Sequence, residues 1–309
     1  MHVYLFGNFH VYPHADAELA LRPTAARLFA FLLLHRQMVH MREVVAETFW
    51  EDSELDRARR NLNTTLWQLR KAFSQMSDQR PTLIDTTPEQ IKLNREADLW
   101  LDVALFEEQA KKGLIQAENG SALAAINALE QAVALYQGDL LHGFSDSWVL
   151  QERERLRLIY LRCLRRLMTL HQKQHNLDAS IEYARRILHI EPWHEDVHRI
   201  LMGLYMENGR RAKAIAQYHA CRKALESELA VTPMAETEVL YQRLLTPTHR
   251  ERQAIVAPNQ PVLPNGNDAA RLTLEVATAQ LQAAIQTLRE AQADLNRAVA
   301  LVERLSQNP

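Results

Sequence analysis

Apolar residues follow two different rhythms along this chain, and the change between them divides it. Over residues 1–97, short alternating runs are interleaved with helical ones. Val3–Phe6 and Phe9–Tyr12 alternate around the turn-forming pair Gly7-Asn8 and predict two strands, with Leu19–Leu21 as a candidate third. Pro23 opens the helical run AARLFAFLLLHR, where its fixed φ suits a first turn and its missing N–H costs nothing. A short helix is predicted over Arg42–Phe49. A third spans Asp56–Met76, where Ala58, Leu62, Leu66, Leu69 and Phe73 step by four, four, three and four and so line one helical face. Thr82–Asp85 and Gln90–Leu93 predict a hairpin around Thr86-Thr87-Pro88-Glu89. Strands, three helices and a closing hairpin are the order of a winged helix-turn-helix.

Residues 98–246 keep the helical rhythm almost without interruption. Helices are predicted near 102–117, 121–137, 146–174, 178–190, 194–207, 210–229 and 234–245. Breaks fall at Gly138-Asp139, Glu191-Pro192, Asn208-Gly209 and Thr232-Pro233. From Trp148 onward the helices pair with a spacing of roughly 34–45 residues, as in tetratricopeptide-like arrays, which build protein-binding surfaces rather than catalytic pockets. Pro247, Pro258, Pro261 and Pro264 mark 247–268 as a flexible linker.

The helical pattern resumes at 269–307 with a strict seven-residue repeat. Leu274, Leu281, Leu288, Leu295 and Val302 take d positions, with Ile285 and Val299 among the a positions and alanines at g. Such a repeat predicts a coiled coil, and its apolar seam a homo-oligomer. A helix folded back on the preceding domain is the alternative. The fold class is therefore mainly α: a winged helix-turn-helix (α+β) over 1–97, a tetratricopeptide-like all-α domain over 98–246, then linker and coiled-coil helix.

Composition changes little in this picture. Eight glycines in 309 residues agree with a helical chain, and a net charge of −2 does not advertise a nucleic-acid binder. Cys163 and Cys221 lie inside helical patterns without partners at metal-ligand spacing, which suits a reducing compartment. No run approaches a membrane span, and the N-terminus has no signal-peptide pattern, so a cytoplasmic protein is expected, with no membrane partner.

Local charge is more informative. Within DRARRNLNTTLWQLRKAFSQM, five basic residues (Arg57, Arg59, Arg60, Arg70, Lys71) stand against one acid, Asp56. The rest of the first 97 residues carries 7 basic and 11 acidic residues, so positive charge is concentrated on the helix a winged helix inserts into DNA. Opposite its leucines lie Arg57, Arg60, Asn63, Thr64, Trp67, Gln68, Arg70 and Lys71. Arg, Asn and Gln can hydrogen-bond base edges, while Thr, Lys and Arg can also hold phosphates. Trp67 on a polar face is poorly hidden without a partner. Lys92 in the hairpin can reach a phosphate, whereas Glu89 at its tip repels one.

This arrangement strongly resembles the SARP family of bacterial activators, in which a response-regulator-type winged helix precedes a bacterial transcriptional activation domain. LFGNFHV resembles the family's opening strands, ARRNLNTTLWQLRKAF its recognition helix, and ADLWLDVALFEEQA the start of its activation domain. YQGDLLHGFSDSWVLQERERLRLIYLRCLRRL and HRILMGLYMENGRRAKAIAQYHACRKALESELAVTPMAETEVLYQRLL are similar to that domain's middle and end. The resemblance covers about residues 1–246. It implies double-stranded promoter DNA and RNA polymerase as partners, commonly with direct-repeat sites, and no enzyme activity or cofactor. Family recognition helices usually carry basic residues where Trp67 and Gln68 stand, and family wings commonly end in a Gly-Tyr-Arg-like turn where Glu89-Gln90-Ile91-Lys92 stands here. No GxxxxGK[ST] loop is present, so the ATPase of many relatives is not expected.

One motif speaks for an enzyme. His194-Glu195-Asp196-Val197-His198 fits HExxH, but Leu201 and Leu204 stand where a metzincin has its Gly and third His. With 13 histidines in the chain, a pair at this spacing is unsurprising, and no metal site is expected. Two readings remain: a sequence-specific DNA-binding transcription activator, or a ligand- or partner-sensing helical-repeat scaffold with secondary DNA binding.

Overall fold

The first two strands form where the alternation places them. In the computed structural model, which describes residues 1–13, 17–74, 83–94 and 97–246, β1 (His2–Tyr4) pairs antiparallel with β2 (His10–Tyr12) through Val3 and Val11. The predicted linker and coiled coil lie outside the described residues. Gly7, at φ +81°, supplies the left-handed turn between the strands. The candidate third strand at Leu19–Leu21 does not form; Leu19 only donates its N–H to the Val11 carbonyl at 2.8 Å. The free side of β1 is taken instead by β6 (Trp100–Leu101), which runs parallel to it with Val3 opposite Leu101. A parallel neighbour needs a long crossover, and nearly the whole winged helix lies between these two strands.

Three helices follow β2. They are α1 (Pro23–Leu34), α2 (Arg42–Phe49) and α3 (Leu55–Ser74). Ala58, Leu62, Leu66 and Leu69 of α3 are buried as predicted, and the half-buried Phe73 ring lies 4.9 Å from that of Phe29. The hairpin forms as β4 (Ile84–Thr86) and β5 (Gln90–Leu93). An unpredicted strand, β3 (Val39–Met41), joins it on the other side of β5. Its pattern is inverted: Val39 and Met41 are exposed while His40 is half-buried, so the alternation signal was absent.

Seven further helices complete the described residues: α4 (Asp102–Glu118), α5 (Ala122–Leu135), α6 (Ser147–Lys173), α7 (Leu177–Ile190), α8 (Glu195–Glu207), α9 (Arg211–Leu229) and α10 (Ala235–Leu245). They pack as successive pairs, α4 on α5, α6 on α7 and α8 on α9, with α10 against α8 and α9. Gly113 permits a close approach of α4 to α5, since a Cβ there would lie 2.6 Å from Leu129 Cγ. The mainly α class, winged helix followed by tetratricopeptide-like array, is the observed one.

Winged helix and array share one hydrophobic core, and residues Met1–Leu245 form a single compact unit. Trp148 of α6 packs between Phe31 of α1 and Phe49 of α2, with ring centroids 5.4 and 6.1 Å away. Arg36, in the turn after α1, and Arg155 of α6 both donate to Glu107 of α4 at 2.7 Å. The most buried polar link is Asp102, only 2 % exposed, whose carboxylate accepts N–H bonds from Leu5 (2.8 Å), Phe6 (2.9 Å) and Val103 (2.7 Å). Burial pushes this carboxyl up to about 6 even though the donors favour its ionised form. The array thus anchors the sheet that begins the winged helix.

Candidate nucleic-acid interface

The leucine face of α3 is fixed against the core, so the opposite face must point outward. Arg57, Arg60, Asn63, Thr64, Trp67, Arg70 and Lys71 are exposed, and Gln68 is half-buried. At the helical repeat, Arg60, Thr64, Trp67 and Lys71 form one stripe at the centre of that arc. Trp67 is 59 % exposed, and the Lys71 ammonium lies 5.1 Å from its ring centroid. A large aromatic surface and a cation are therefore offered together, a pairing suited to a negatively charged ligand with apolar edges.

The flank toward α2 and the wing is organised by hydrogen bonds. Arg70 donates to the Thr86 hydroxyl on β4, and Arg42, first residue of α2, donates to the Asn63 side-chain oxygen. Arg42 is itself held by the wing, its backbone N–H donating to the Glu89 carbonyl at 2.8 Å. Burial and then the nearby Arg70 charge lower the Arg42 pKa, although a guanidinium stays charged throughout. Among the described residues, neither Arg42 nor Arg70 forms an ion pair with a carboxylate.

Two predicted residues are placed differently from the rest. Arg59 turns to α2, paired with Glu43 and, at 3.4 Å, with Asp56, and these acids hold its pKa above the ordinary value. Lys92 lies on the face of the wing sheet opposite the buried Ile91 and Leu93, 3.6 Å from Asp85. Both cations are partly offset by their own neighbours. Arg42 was missed in the sequence because it lies 21 residues from Asn63. One signal was present: a basic residue in a helix's first turn opposes the helix dipole and so needs another reason to be there.

The HExxH pair does not converge on a metal. His198 is 3 % exposed, with Nε2 2.9 Å from the Pro192 carbonyl and Nδ1 2.6 Å from the Gln217 amide. His194 is bonded to Glu191, and Glu195 accepts the Met234 N–H at 2.7 Å and the Thr237 hydroxyl. These side chains staple α8 to its neighbours. Among the described residues, no group of three or more His, Cys, Asp or Glu is arranged to hold a metal ion, and no helix is long and apolar enough to cross a membrane.

A winged helix joined to an array of paired helices, with an exposed cationic arc, is the architecture of a transcription regulator. Residues 101–245 match the family model of the bacterial transcriptional activator domain, and with the winged helix before them the chain is similar to SARP-type transcriptional regulators. It is 24 % identical over 228 residues to the transcriptional regulatory protein MoaR1 of Mycobacterium bovis, covering 72 % of each chain. The regulatory protein AfsR of Streptomyces coelicolor is 25 % identical over 223 residues, which cover 72 % of this chain and 22 % of AfsR. Mycobacterium tuberculosis EmbR, solved in complex with a low-affinity phosphopeptide, shares the fold with a TM-score of 0.65 at 18 % identity, over 91 % of this chain and 70 % of that one.

Proposed function

We propose that this regulator binds double-stranded promoter DNA in a sequence-specific manner, by inserting α3 into the major groove, and activates transcription through contact with RNA polymerase. The observation that supports this most is the exposed arc of α3, where Arg57, Arg60, Asn63, Thr64, Trp67, Gln68, Arg70 and Lys71 project from a helix whose other face is locked in the core. Arg42 extends that arc toward the wing. Arg59 and Lys92 add weaker, partly neutralised charge at its edges. The winged helix over 1–97 performs the reading and the array over 98–246 presents a surface to polymerase. The helix at 269–307 joins protomers through Leu274, Leu281, Ile285, Leu288, Leu295, Val299 and Val302, which raises effective concentration at direct repeats. The site of action is the cytoplasm, and the protein works without enzyme activity or cofactor.

A genome-wide footprint of the wild-type chain, with a reporter driven by the strongest bound promoter, tests this reading. Repeated half-sites upstream of genes and reporter activation are expected. In Arg60→Ala/Lys71→Ala, both are lost. An unchanged footprint and unchanged output in that variant contradict the mechanism.

A further inference from the structure

An asparagine side chain has an oxygen acceptor at one end and an NH2 donor at the other, and it reads adenine by using both, accepting from N6–H and donating to N7. At Asn63 those ends are already distinguished. The Arg42 guanidinium donates through Nη2 to Oδ1. Since a guanidinium has five donors and no acceptor, the amide end facing it must be the oxygen. Arg42 does not hang free in making this bond. Its backbone N–H is tied to Glu89, and its Nη1 lies 3.5 Å from the Thr87 carbonyl. The wing therefore holds the arginine, and the arginine holds the amide.

This changes what Asn63 offers to a base. One lone pair of Oδ1 is used by a positively charged donor, and that charge repels the hydrogens of an approaching amino group. The Nδ2 donor is left to point away from Arg42 on an exposed side chain. We infer that Arg42 is a specificity-determining residue: by occupying Oδ1 it turns Asn63 into a donor-only reader, which selects the acceptor edge of guanine (N7 and O6) over the mixed edge of adenine. The inference rests on the proposed entry of α3 into a major groove.

Selection from a randomised duplex pool, followed by sequencing, tests it on the full chain in wild type, Arg42→Met, Asn63→Ala and the double variant. Arg42→Met keeps the apolar stem and removes the donors. Asn63→Ala is expected to lose preference at one operator position, occupied by guanine in wild type. Arg42→Met shifts that same position toward adenine by roughly tenfold, the scale of one bidentate base contact. In the Asn63→Ala background, Arg42→Met produces no shift. Arg42→Ala is selected alongside, with melting temperatures for all variants, so that a folding defect peculiar to Met does not decide the result. Guanine retained at that position in both Arg42 variants, or adenine already preferred there by wild type, overturns the role of Arg42. A wild-type chain that enriches no sequence overturns the proposed function itself.

Discussion

Replacing Asp102 by Asn removes a buried carboxyl at the joint between the N-terminal sheet and the helical array. The amide oxygen can still accept from Leu5 and Phe6, and the substitution resembles the protonated acid in shape and charge. Subtracting the two stabilities therefore isolates the cost of ionising Asp102. Burial raises its pKa from 3.8 to about 6 in the folded chain. At about 1.4 kcal/mol per unit, that difference is worth about 3 kcal/mol. The sign follows from the direction of the shift. A raised folded pKa means the folded state holds the proton more tightly. The associated stability is complete below the unfolded pKa and is lost as pH rises through the folded one. Urea unfolding at pH 5 and pH 8 should show wild type losing stability relative to Asp102→Asn by about 1 kcal/mol, as this linkage gives for that interval. A difference that stays constant, or moves in favour of wild type as pH rises, refutes the claim that burial dominates this carboxyl's titration.

Three further outcomes follow from the packing and the proposed interface. Gly113→Ala puts a Cβ 2.6 Å from Leu129 Cγ and 3.0 Å from Leu129 N. Overpacking of about 1–3 kcal/mol should outweigh a gain in helix propensity of about 1 kcal/mol, and a raised melting temperature would contradict the close α4–α5 crossing. Trp67→Ala should leave folding stability within about 0.5 kcal/mol of wild type, because the ring is 59 % exposed, while weakening operator binding. Loss of stability without loss of binding assigns the ring to packing instead. Deleting 247–309 should lower the mass measured by light scattering and weaken binding to two-site DNA more than to one-site DNA; an unchanged mass refutes oligomerisation through the C-terminal helix.

Much of this architecture was legible in the sequence, and the exceptions share a cause. The spans of α2 and of α4–α10, and the buried face of α3, follow from local periodicity, because a helix makes its hydrogen bonds within a few residues. The partner of β1 did not follow from it. Leu19–Leu21 lay nearby and had the right composition, but Trp100–Leu101 won the position from almost a hundred residues away. β3 escaped notice because its two apolar residues face outward and its histidine inward. At the interface, residue types and helical spacing identified the arc of α3. Neither could disclose that Arg59 is turned to Glu43, that Lys92 is matched by Asp85, or that Arg42 reaches Asn63. Each of those facts depends on which side chains the fold brings together across elements.

The central claim is that the α3 arc grips DNA through its cations, and equilibrium binding to a footprinted operator over a range of salt tests it most directly. Arg60→Ala/Lys71→Ala should bind more weakly than wild type, with the slope of log K against log salt reduced by about 1.8 if each residue holds one phosphate, at about 0.9 per contact. Affinity and slope equal to those of wild type would place the DNA elsewhere and contradict the account.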